Sequence, residues 1–188
     1  MTGHADRLLE LATEIGALTY GDYTLSWGGK SRFYFDGRLL SLEPEGAYII
    51  GQALLPYVTG AGATAVGGPT LGADPMVAAI AITSHMAGEH ISGFIVRKET
   101  KGHGTGKLIE GPLTPGSKVA IVDDTCSTGG SLFQAIAAAE DAGCEVVKVL
   151  SVLDRREGGS EKLRKRGYDF SSLLVATPEG EIMVAEGA

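Results

Sequence analysis

The sequence predicts an α/β protein with a central, mostly parallel sheet flanked by helices. Short apolar runs rich in β-branched residues recur beyond residue 60, and helical patterns separate several of them. The runs are ATAVG, HISGFIVR, KVAIVDD, EVVKVLSVLD and FSSLLVA. Strands that are apolar on both faces are typical of a parallel sheet, in which ligands bind beyond the carboxyl ends of the strands. We therefore expect functional residues in the loops that follow the strands.

Composition favours one folded domain over residues 1–188. Hydrophobic residues make up 44% of the chain and charged residues 21%, which excludes a disordered chain. No Pro/Ser/Gly-rich run offers a linker, and no apolar stretch is long enough to span a membrane. The net charge of −7 argues against nucleic acid and anionic membranes as partners, since both require a basic face. Two lone cysteines and an N-terminus without a signal-peptide pattern predict a reduced, cytoplasmic location.

The first third of the chain predicts two helices around a hairpin. Apolar residues at helical spacing predict an opening helix over residues 5–18. The stretch YTLSWGGKSRFYFDGR alternates about a Gly28-Gly29 turn and predicts a hairpin. A helix is expected from Pro44 to about Tyr57, because Pro suits a first helical turn.

Two further helices lie between the apolar runs. PMVAAIAITSHMAG predicts a helix with Asp74 as its N-cap, and SLFQAIAAAEDAG predicts one that stops at Gly143. His85 and His90 are expected at the surface, and Cys126 and Cys144 are too far apart in the sequence to suggest a metal site. Residues 177–188 are expected to form a polar tail.

The segment KVAIVDDTCSTGGS, residues 118–131, carries the strongest functional signal. It combines a buried strand, two adjacent acids, a loop of small residues and a helix that begins near Gly130. Loop N–H groups, hydroxyls and the helix N-terminus suit a phosphate, whereas Asp123 and Asp124 would suit ribose hydroxyls or a divalent cation. The segment has neither the Gly-Lys-Ser/Thr of a Walker loop nor the three spaced glycines of a dinucleotide site. It predicts a sugar phosphate site, and a strand that ends in a capped turn is the structural alternative.

This segment resembles the phosphoribosyl pyrophosphate (PRPP) signature of the type I phosphoribosyltransferases. The resemblance implies that fold, with a small N-terminal hood of about residues 1–40 and a PRPP-binding core of about residues 41–176. It implies that Asp123 and Asp124 contact the ribose, and that Mg²⁺ is held mainly through PRPP with these acids nearby. The remaining PRPP-binding residues implied here are Thr125, Cys126, Ser127, Thr128, Gly129, Gly130 and Ser131.

A second constellation, RKETKGHGTGK, places several cations in one Gly-rich loop directly after a strand. Such a loop could close over a ligand and offset the charge of a departing pyrophosphate, although a solvated basic loop is the alternative. It resembles the catalytic loop of orotate phosphoribosyltransferases, in which R-K-x-x-K-x-H-G stands at this position. The resemblance implies catalytic and PRPP-binding roles for Lys101, Arg97, Lys98 and His103. By the same analogy the loop of one subunit reaches into the site of the other, which implies a homodimer with shared active sites.

The hairpin and the strand after the PRPP helix suggest how a base would be recognised. TLSWGGKSRFYFD resembles the hood segment T-L-x-S-G-x-x-S-x-Y-x-x-D of these enzymes and implies that Tyr34 and Phe35 lie beside the base. Arg155 follows the strand as in the family's D-R pair and is implied as the partner of the orotate carboxylate. A surface Arg at the start of a basic helix is the alternative. Ser127 takes the place of the family hydroxyl that contacts the base.

Two family cations are missing from the sequence. Ser26 and Gly72 stand where many relatives carry Lys residues that approach the pyrophosphate. Lys30 or the backbone N–H groups of residues 70–73 are the candidates to replace them. The combined resemblance implies an orotate phosphoribosyltransferase that makes orotidine 5′-monophosphate and pyrophosphate from orotate and PRPP in UMP biosynthesis. The alternatives are a uracil or purine phosphoribosyltransferase and a PRPP-sensing regulator.

Overall fold

The computed structural model describes residues 3–24, 28–99 and 108–188. Its strands form a two-stranded and a seven-stranded sheet. The strands are β1 (Leu18–Thr24), β2 (Lys30–Phe35), β3 (Ala65–Pro69), β4 (Ser92–Val96), β5 (Ile109–Glu110), β6 (Lys118–Cys126), β7 (Glu145–Asp154), β8 (Phe170–Ala176) and β9 (Ile182–Val184). The helices are α1 (His4–Glu14), α2 (Gly37–Ser41), α3 (Pro44–Gly60), α4 (Asp74–Met86), α5 (Gly130–Asp141) and α6 (Gly159–Lys165).

The large sheet has the order β5-β4-β3-β6-β7-β8-β9. The inner pairs are parallel, whereas the edge strands β5 and β9 run antiparallel to their neighbours. The prediction of a mostly parallel sheet is therefore confirmed. Strand β6 lies at its centre, so the loop after β6 opens at the middle of the carboxyl edge.

Helices cover both faces of this sheet. Ala120 and Val122 of β6 pack in a core with α1, α3 and α4, whereas Val119 and Ile121 pack in a second core with α5 and α6. Alternate side chains of one strand thus enter opposite cores, as the period of two in a strand requires. The continuous apolar run of β6 follows from burial on both faces.

The small sheet is the predicted hairpin. β1 pairs with β2 in antiparallel register from Leu18 opposite Phe35 to Thr24 opposite Lys30. The far end of the large sheet supports it, because the Tyr20 hydroxyl accepts a hydrogen bond of 3.2 Å from the Ile182 backbone N–H.

Four predicted boundaries differ from the structure. The opening helix ends at Glu14, because Gly16 has φ 73° and the chain then turns into β1. Asp74 is the first residue of α4 and Ala73 is its cap, so the Asp74 carboxylate instead accepts a bond of 2.7 Å from the Thr70 hydroxyl. The expected polar tail contains β9, which pairs with β8 at the free edge of the sheet. Helix α3 also continues beyond Tyr57 to Gly60.

Several smaller expectations agree with the structure. Gly143 follows α5 with φ 81°, as a helix stop requires. His85 and His90 are exposed. Among the described residues, no helix is long and apolar enough to cross a membrane.

Candidate functional site

A cleft of about 500 Å³ opens at the carboxyl edge of the large sheet, where α2 and the end of the hairpin face β3 and β6. Strand ends, the hairpin and the first turns of α2 and α5 all contribute to its wall. The lining residues are Tyr34, Phe35, Asp36, Gly37, Arg38, Pro69, Thr70, Leu71, Gly72, Lys98, Asp123, Asp124, Ser131 and Gln134. The cleft therefore lies where the parallel topology predicts a ligand site.

The two acids of the predicted PRPP segment lie in this cleft. Asp123 is buried, and its carboxylate accepts bonds from the Ser131 hydroxyl at 2.7 Å and from the Asp124 backbone N–H at 3.0 Å. Burial and then the charge of Asp124 raise the pKa of Asp123 to about 7. Burial also raises the pKa of Asp124. Two desolvated carboxyls this close together favour a ligand that brings hydroxyl donors or a cation.

Glycines let the backbone approach these acids closely. A Cβ added at Gly37 would lie 2.6 Å from the Asp124 Cβ. One added at Gly72 would lie 2.9 Å from Asp124 Oδ1 and 3.0 Å from Asp123 Oδ1. A side chain at position 72 would therefore require the ends of these carboxylates to shift.

The small-residue loop leads from β6 directly into α5. Gly129 is the N-cap of α5 with φ 84°, and the loop carbonyl of Ser127 accepts a bond of 2.9 Å from the Gly159 N–H. A Cβ at Gly159 would lie 2.6 Å from the Ser127 oxygen and 2.7 Å from the Gly129 nitrogen. The start of α6 thus supports the loop from behind. The free N–H groups of the first turn of α5 are suited to an anion.

The cysteine of this segment is buried and does not line the cleft. Cys126 is buried in the core under α5 and α6, and burial, with added effects of the Asp154 and Asp123 charges, raises its thiol pKa to about 12. A thiol with that pKa is neutral and unreactive at pH 7. Its side chain fills space, and only its backbone could serve a bound ligand.

The described part of the basic loop forms its stem. The Arg97 backbone N–H donates to the Leu108 carbonyl at 2.8 Å, which brings the two ends of the loop together. Arg97 Nη1 lies 3.4 Å from Glu110 Oε1, outside the cleft lining. Lys98 does line the cleft, and its carbonyl accepts a bond of 3.0 Å from Gln134 Nε2 on α5. Lys101 and His103 lie outside the described residues, as does Ser26.

The predicted base-recognition residues divide between the cleft and the hairpin behind it. Tyr34 and Phe35 line the cleft, and Tyr34 is exposed. Arg155 does not line it: its Nε donates to Glu157 Oε1 at 2.9 Å and its Nη2 to Ser31 Oγ at 3.3 Å. Its guanidinium also lies 4.5 Å from the centre of the Phe33 ring. The structure thus places Arg155 against strand β2, which carries both aromatic residues, and not at the solvent surface.

Of the candidate cations, Lys30 begins β2 at an exposed position outside the cleft lining. Sequence reasoning missed Arg38, which does line the cleft. The signal available was the Asp-Gly pair at positions 36 and 37, which caps a short helix directly after the hairpin. Gln134, Glu157 and Gly159 were also missed, because their roles depend on contacts between distant segments.

Asp123 and Asp124 could hold a divalent cation only if other oxygen ligands complete the coordination of that cation. Among the described residues, no group of three or more His, Cys, Asp or Glu side chains could hold a metal ion. Mg²⁺ takes six oxygen ligands and is commonly held by one or two carboxylates together with substrate phosphates and water. The donor set at Asp123 and Asp124 matches that mode of binding.

Comparisons with known proteins agree with this geometry. The phosphoribosyl transferase domain family matches residues 75–175. An orotate phosphoribosyltransferase of Aquifex aeolicus is 45% identical over 152 residues, covering 81% of this chain and 83% of that protein. One from Rhodopirellula baltica is 42% identical over 168 residues, covering 86% and 87%. The crystal structure of the Mycobacterium tuberculosis orotate phosphoribosyltransferase in complex with PRPP has a TM-score of 0.76 at 35% identity, covering 92% of this chain and 95% of that chain.

Proposed function

The chain belongs to the orotate phosphoribosyltransferases, and we propose that the cleft between α2 and β6 is where it transfers ribose 5-phosphate from PRPP to orotate. The enzyme forms orotidine 5′-monophosphate and pyrophosphate, a step of UMP biosynthesis. The observation that carries the assignment of the cleft is the buried acid pair at the end of β6, followed by the loop and the N-terminus of α5.

In this proposal the acid pair and the loop hold PRPP. Asp123 and Asp124 accept hydrogen bonds from the ribose hydroxyls; burial raises the pKa of each acid, so hydrogen-bond donors from a ligand would stabilise the charged carboxylates. The loop from Thr125 to Gly130, with Ser131, binds the 5′-phosphate through N–H groups and hydroxyls. Ser131 already donates to Asp123, so it ties the phosphate loop to the ribose side.

Mg²⁺ is the proposed cofactor. When bound, it would neutralise charge on the pyrophosphate oxygens of PRPP as the glycosidic bond to pyrophosphate breaks. Asp123 and Asp124 are the residues that would hold it, together with oxygens of PRPP itself.

Orotate would lie against the hairpin. Tyr34 and Phe35 supply apolar surface for the ring, and Ser127 supplies a hydroxyl. Arg155 is the proposed carboxylate partner, since Glu157, Ser31 and the Phe33 ring already hold its guanidinium in one orientation. A guanidinium has five donors, so these contacts leave donors for a carboxylate.

The basic loop would act on the leaving group. Positive charge from Arg97, Lys98, Lys101 and His103 would stabilise negative charge that develops on pyrophosphate, which lowers the barrier to displacement at the anomeric carbon. The described stem supports this role, because Lys98 lines the cleft beside α5.

We also propose a homodimer with shared active sites, one domain per chain and a hood of about residues 1–40 over a core that begins near residue 41. Exposed apolar side chains support a subunit contact: Leu71, which lines the cleft, is 66% exposed, and Ile82 and Met86 of α4 are 62% and 77% exposed. Large exposed apolar patches commonly mark protein interfaces. The cytoplasmic location stays a prediction.

The deciding experiment is an assay with PRPP and Mg²⁺ in which orotate, uracil, adenine and hypoxanthine are compared. Orotate should be consumed, with formation of orotidine 5′-monophosphate followed by ultraviolet absorbance, and the other bases should not. Turnover of uracil at a similar rate would favour the alternative phosphoribosyltransferase. PRPP binding without turnover of any base would favour a PRPP-sensing regulator.

A further inference from the structure

Acidic residues outnumber basic residues in the described part of the cleft, although the pyrophosphate group of PRPP is itself negatively charged. Among the described residues that line it are three acids, Asp36, Asp123 and Asp124, and two cations, Arg38 and Lys98. A pyrophosphate with several negative charges must therefore approach carboxylates, and each available cation matters to its binding. Gly72, which also lines the cleft, has no side chain to supply one.

Arg38 is the cation that the hood contributes to this cleft. It is the second residue of α2, and its side chain is 53% exposed. Gly37 allows this placement, since α2 can approach Asp124 only because no Cβ stands at that position. The residue after Gly37 is thereby held at the cleft rim, opposite the acid pair.

Two hydrogen bonds hold the Arg38 guanidinium in place and leave other N–H donors available. Asp36 Oδ1 accepts from Arg38 Nε at 3.1 Å, and Asp36 Oδ2 accepts from Nη2 at 3.2 Å. Within the described residues, no hydrogen bond involves Nη1 of this guanidinium. The hydrogen bond from Arg38 lowers the pKa of Asp36, so this carboxylate stays ionised and fixes the plane of the guanidinium. The Asp124 charge acts on Arg38 as well, which places the guanidinium within the field of the acid pair.

We propose that Arg38 binds the pyrophosphate group of PRPP and retains it as the leaving group. This inference rests on the proposed function and names a residue for the contact that Ser26 and Gly72 do not provide. Arg38 Nη1 donates to a phosphate oxygen while Asp36 keeps Nε and Nη2. An Arg suits this task, because a planar guanidinium can bind a carboxylate along one edge and a phosphate along another.

The test compares Arg38→Ala and Arg38→Lys with wild type by calorimetry. The ligands are Mg²⁺-PRPP, Mg²⁺-pyrophosphate, ribose 5-phosphate and orotidine 5′-monophosphate. Arg38→Ala should weaken PRPP and pyrophosphate by about 10- to 100-fold, the effect of one charge-assisted hydrogen bond. Ribose 5-phosphate and orotidine 5′-monophosphate, which lack the pyrophosphate, should bind with unchanged affinity. Arg38→Lys should recover part of the loss, since it keeps the charge without the planar geometry.

Arg32→Ala is the matched control. Arg32 is an exposed Arg of the same hood, and its Nη1 bonds the Glu179 carbonyl at 3.3 Å, away from the cleft. This variant should bind all four ligands as wild type does. An unchanged thermal midpoint for Arg38→Ala would exclude unfolding, as expected for an exposed ion pair with little effect on stability.

Three results would overturn the assignment of Arg38. Unchanged pyrophosphate affinity in Arg38→Ala would remove Arg38 from the pyrophosphate site, and an equal loss for ribose 5-phosphate would show a general effect on the cleft. Loss confined to orotidine 5′-monophosphate would reassign Arg38 to the base. In each case wild-type turnover of orotate reports separately on the proposed function, so the two conclusions can fail independently.

Discussion

Replacing Asp123 with Asn should make the ligand-free protein more stable at alkaline pH while it weakens PRPP binding. The carboxyl has a pKa of about 7 in the folded chain against 3.8 in the unfolded chain. Its ionisation therefore opposes folding, since a raised carboxyl pKa means that the folded chain holds the proton more tightly. The amide removes the charge; its oxygen can still accept from the Asp124 backbone N–H, and its NH2 can donate to the Ser131 hydroxyl.

The size of the effect follows from this pKa difference. At pH 8 the Asp123 carboxyl is fully ionised in the unfolded chain and mostly ionised in the folded chain. Each pKa unit corresponds to about 1.4 kcal/mol, so the raised pKa lowers the free energy of unfolding by about 4 kcal/mol at this pH. At pH 5 the folded carboxyl is neutral, and the cost falls to about 2 kcal/mol. The stability that wild type has at low pH is fully present below pH 3.8 and is lost as pH rises through about 7.

Urea unfolding of both proteins at pH 5 and pH 8, at one protein concentration and without ligands, measures this difference. Asp123→Asn should exceed wild type by more at pH 8 than at pH 5. Asp141→Asn, at the exposed end of α5, is the control and should show little change at either pH. A variant less stable than wild type at pH 8, or a difference that does not narrow at pH 5, would refute the argument from burial.

Three further predictions concern the base, the loop and the subunit contact. Arg155→Gln should raise the KM for orotate by roughly 10- to 100-fold with little change in the KM for PRPP, because one charge-assisted contact is lost; an equal rise for PRPP would contradict its role. Gly159→Ala should lower the unfolding free energy by roughly 1–3 kcal/mol and weaken PRPP binding, since the new Cβ would meet the loop backbone at 2.6 Å. A urea midpoint and a PRPP affinity equal to those of wild type would show that the loop tolerates the added methyl group. Mixing inactive Lys101→Ala with inactive Asp124→Asn should restore activity if one subunit's loop completes the other's site, and no recovery after mass spectrometry confirms exchange would indicate a self-contained site.

The buried strands were the most predictable part of the fold. β7 and β8 begin and end at the boundaries of their apolar runs, because both faces of each strand are covered and the chain leaves the core at Asp154 and Ala176. The opening helix was predicted too long, since Ile15 and Leu18 continue the apolar spacing past the Gly16 turn. β9 was missed because its three residues form a strand only through the free edge of β8.

The site was predictable where its residues are contiguous in the sequence. Asp123 and Asp124 come directly before the loop and α5, so their segment could be recognised from its order alone. Arg38 could not be found in this way, because its position in the cleft depends on the hairpin folding over β6. The support that Gly159 gives to the loop likewise joins segments about thirty residues apart.

The energetic cost of the acid pair is best understood together with the cations around it. Burial of two carboxyls at the end of a hydrophobic strand destabilises the protein. Functional sites are commonly less stable than other parts of a fold. Gly37 and Gly72 lie against the pair and carry no charge that could offset it. Under the proposed function, hydroxyl groups of the ligand would donate hydrogen bonds to the acids. A cation that enters with the ligand, with rim side chains such as Arg38 and Lys98, would offset their charge. Under the proposed function, we expect PRPP and its cation to bind more tightly together than alone, because hydroxyl donors and a positive charge would both act on the buried acids.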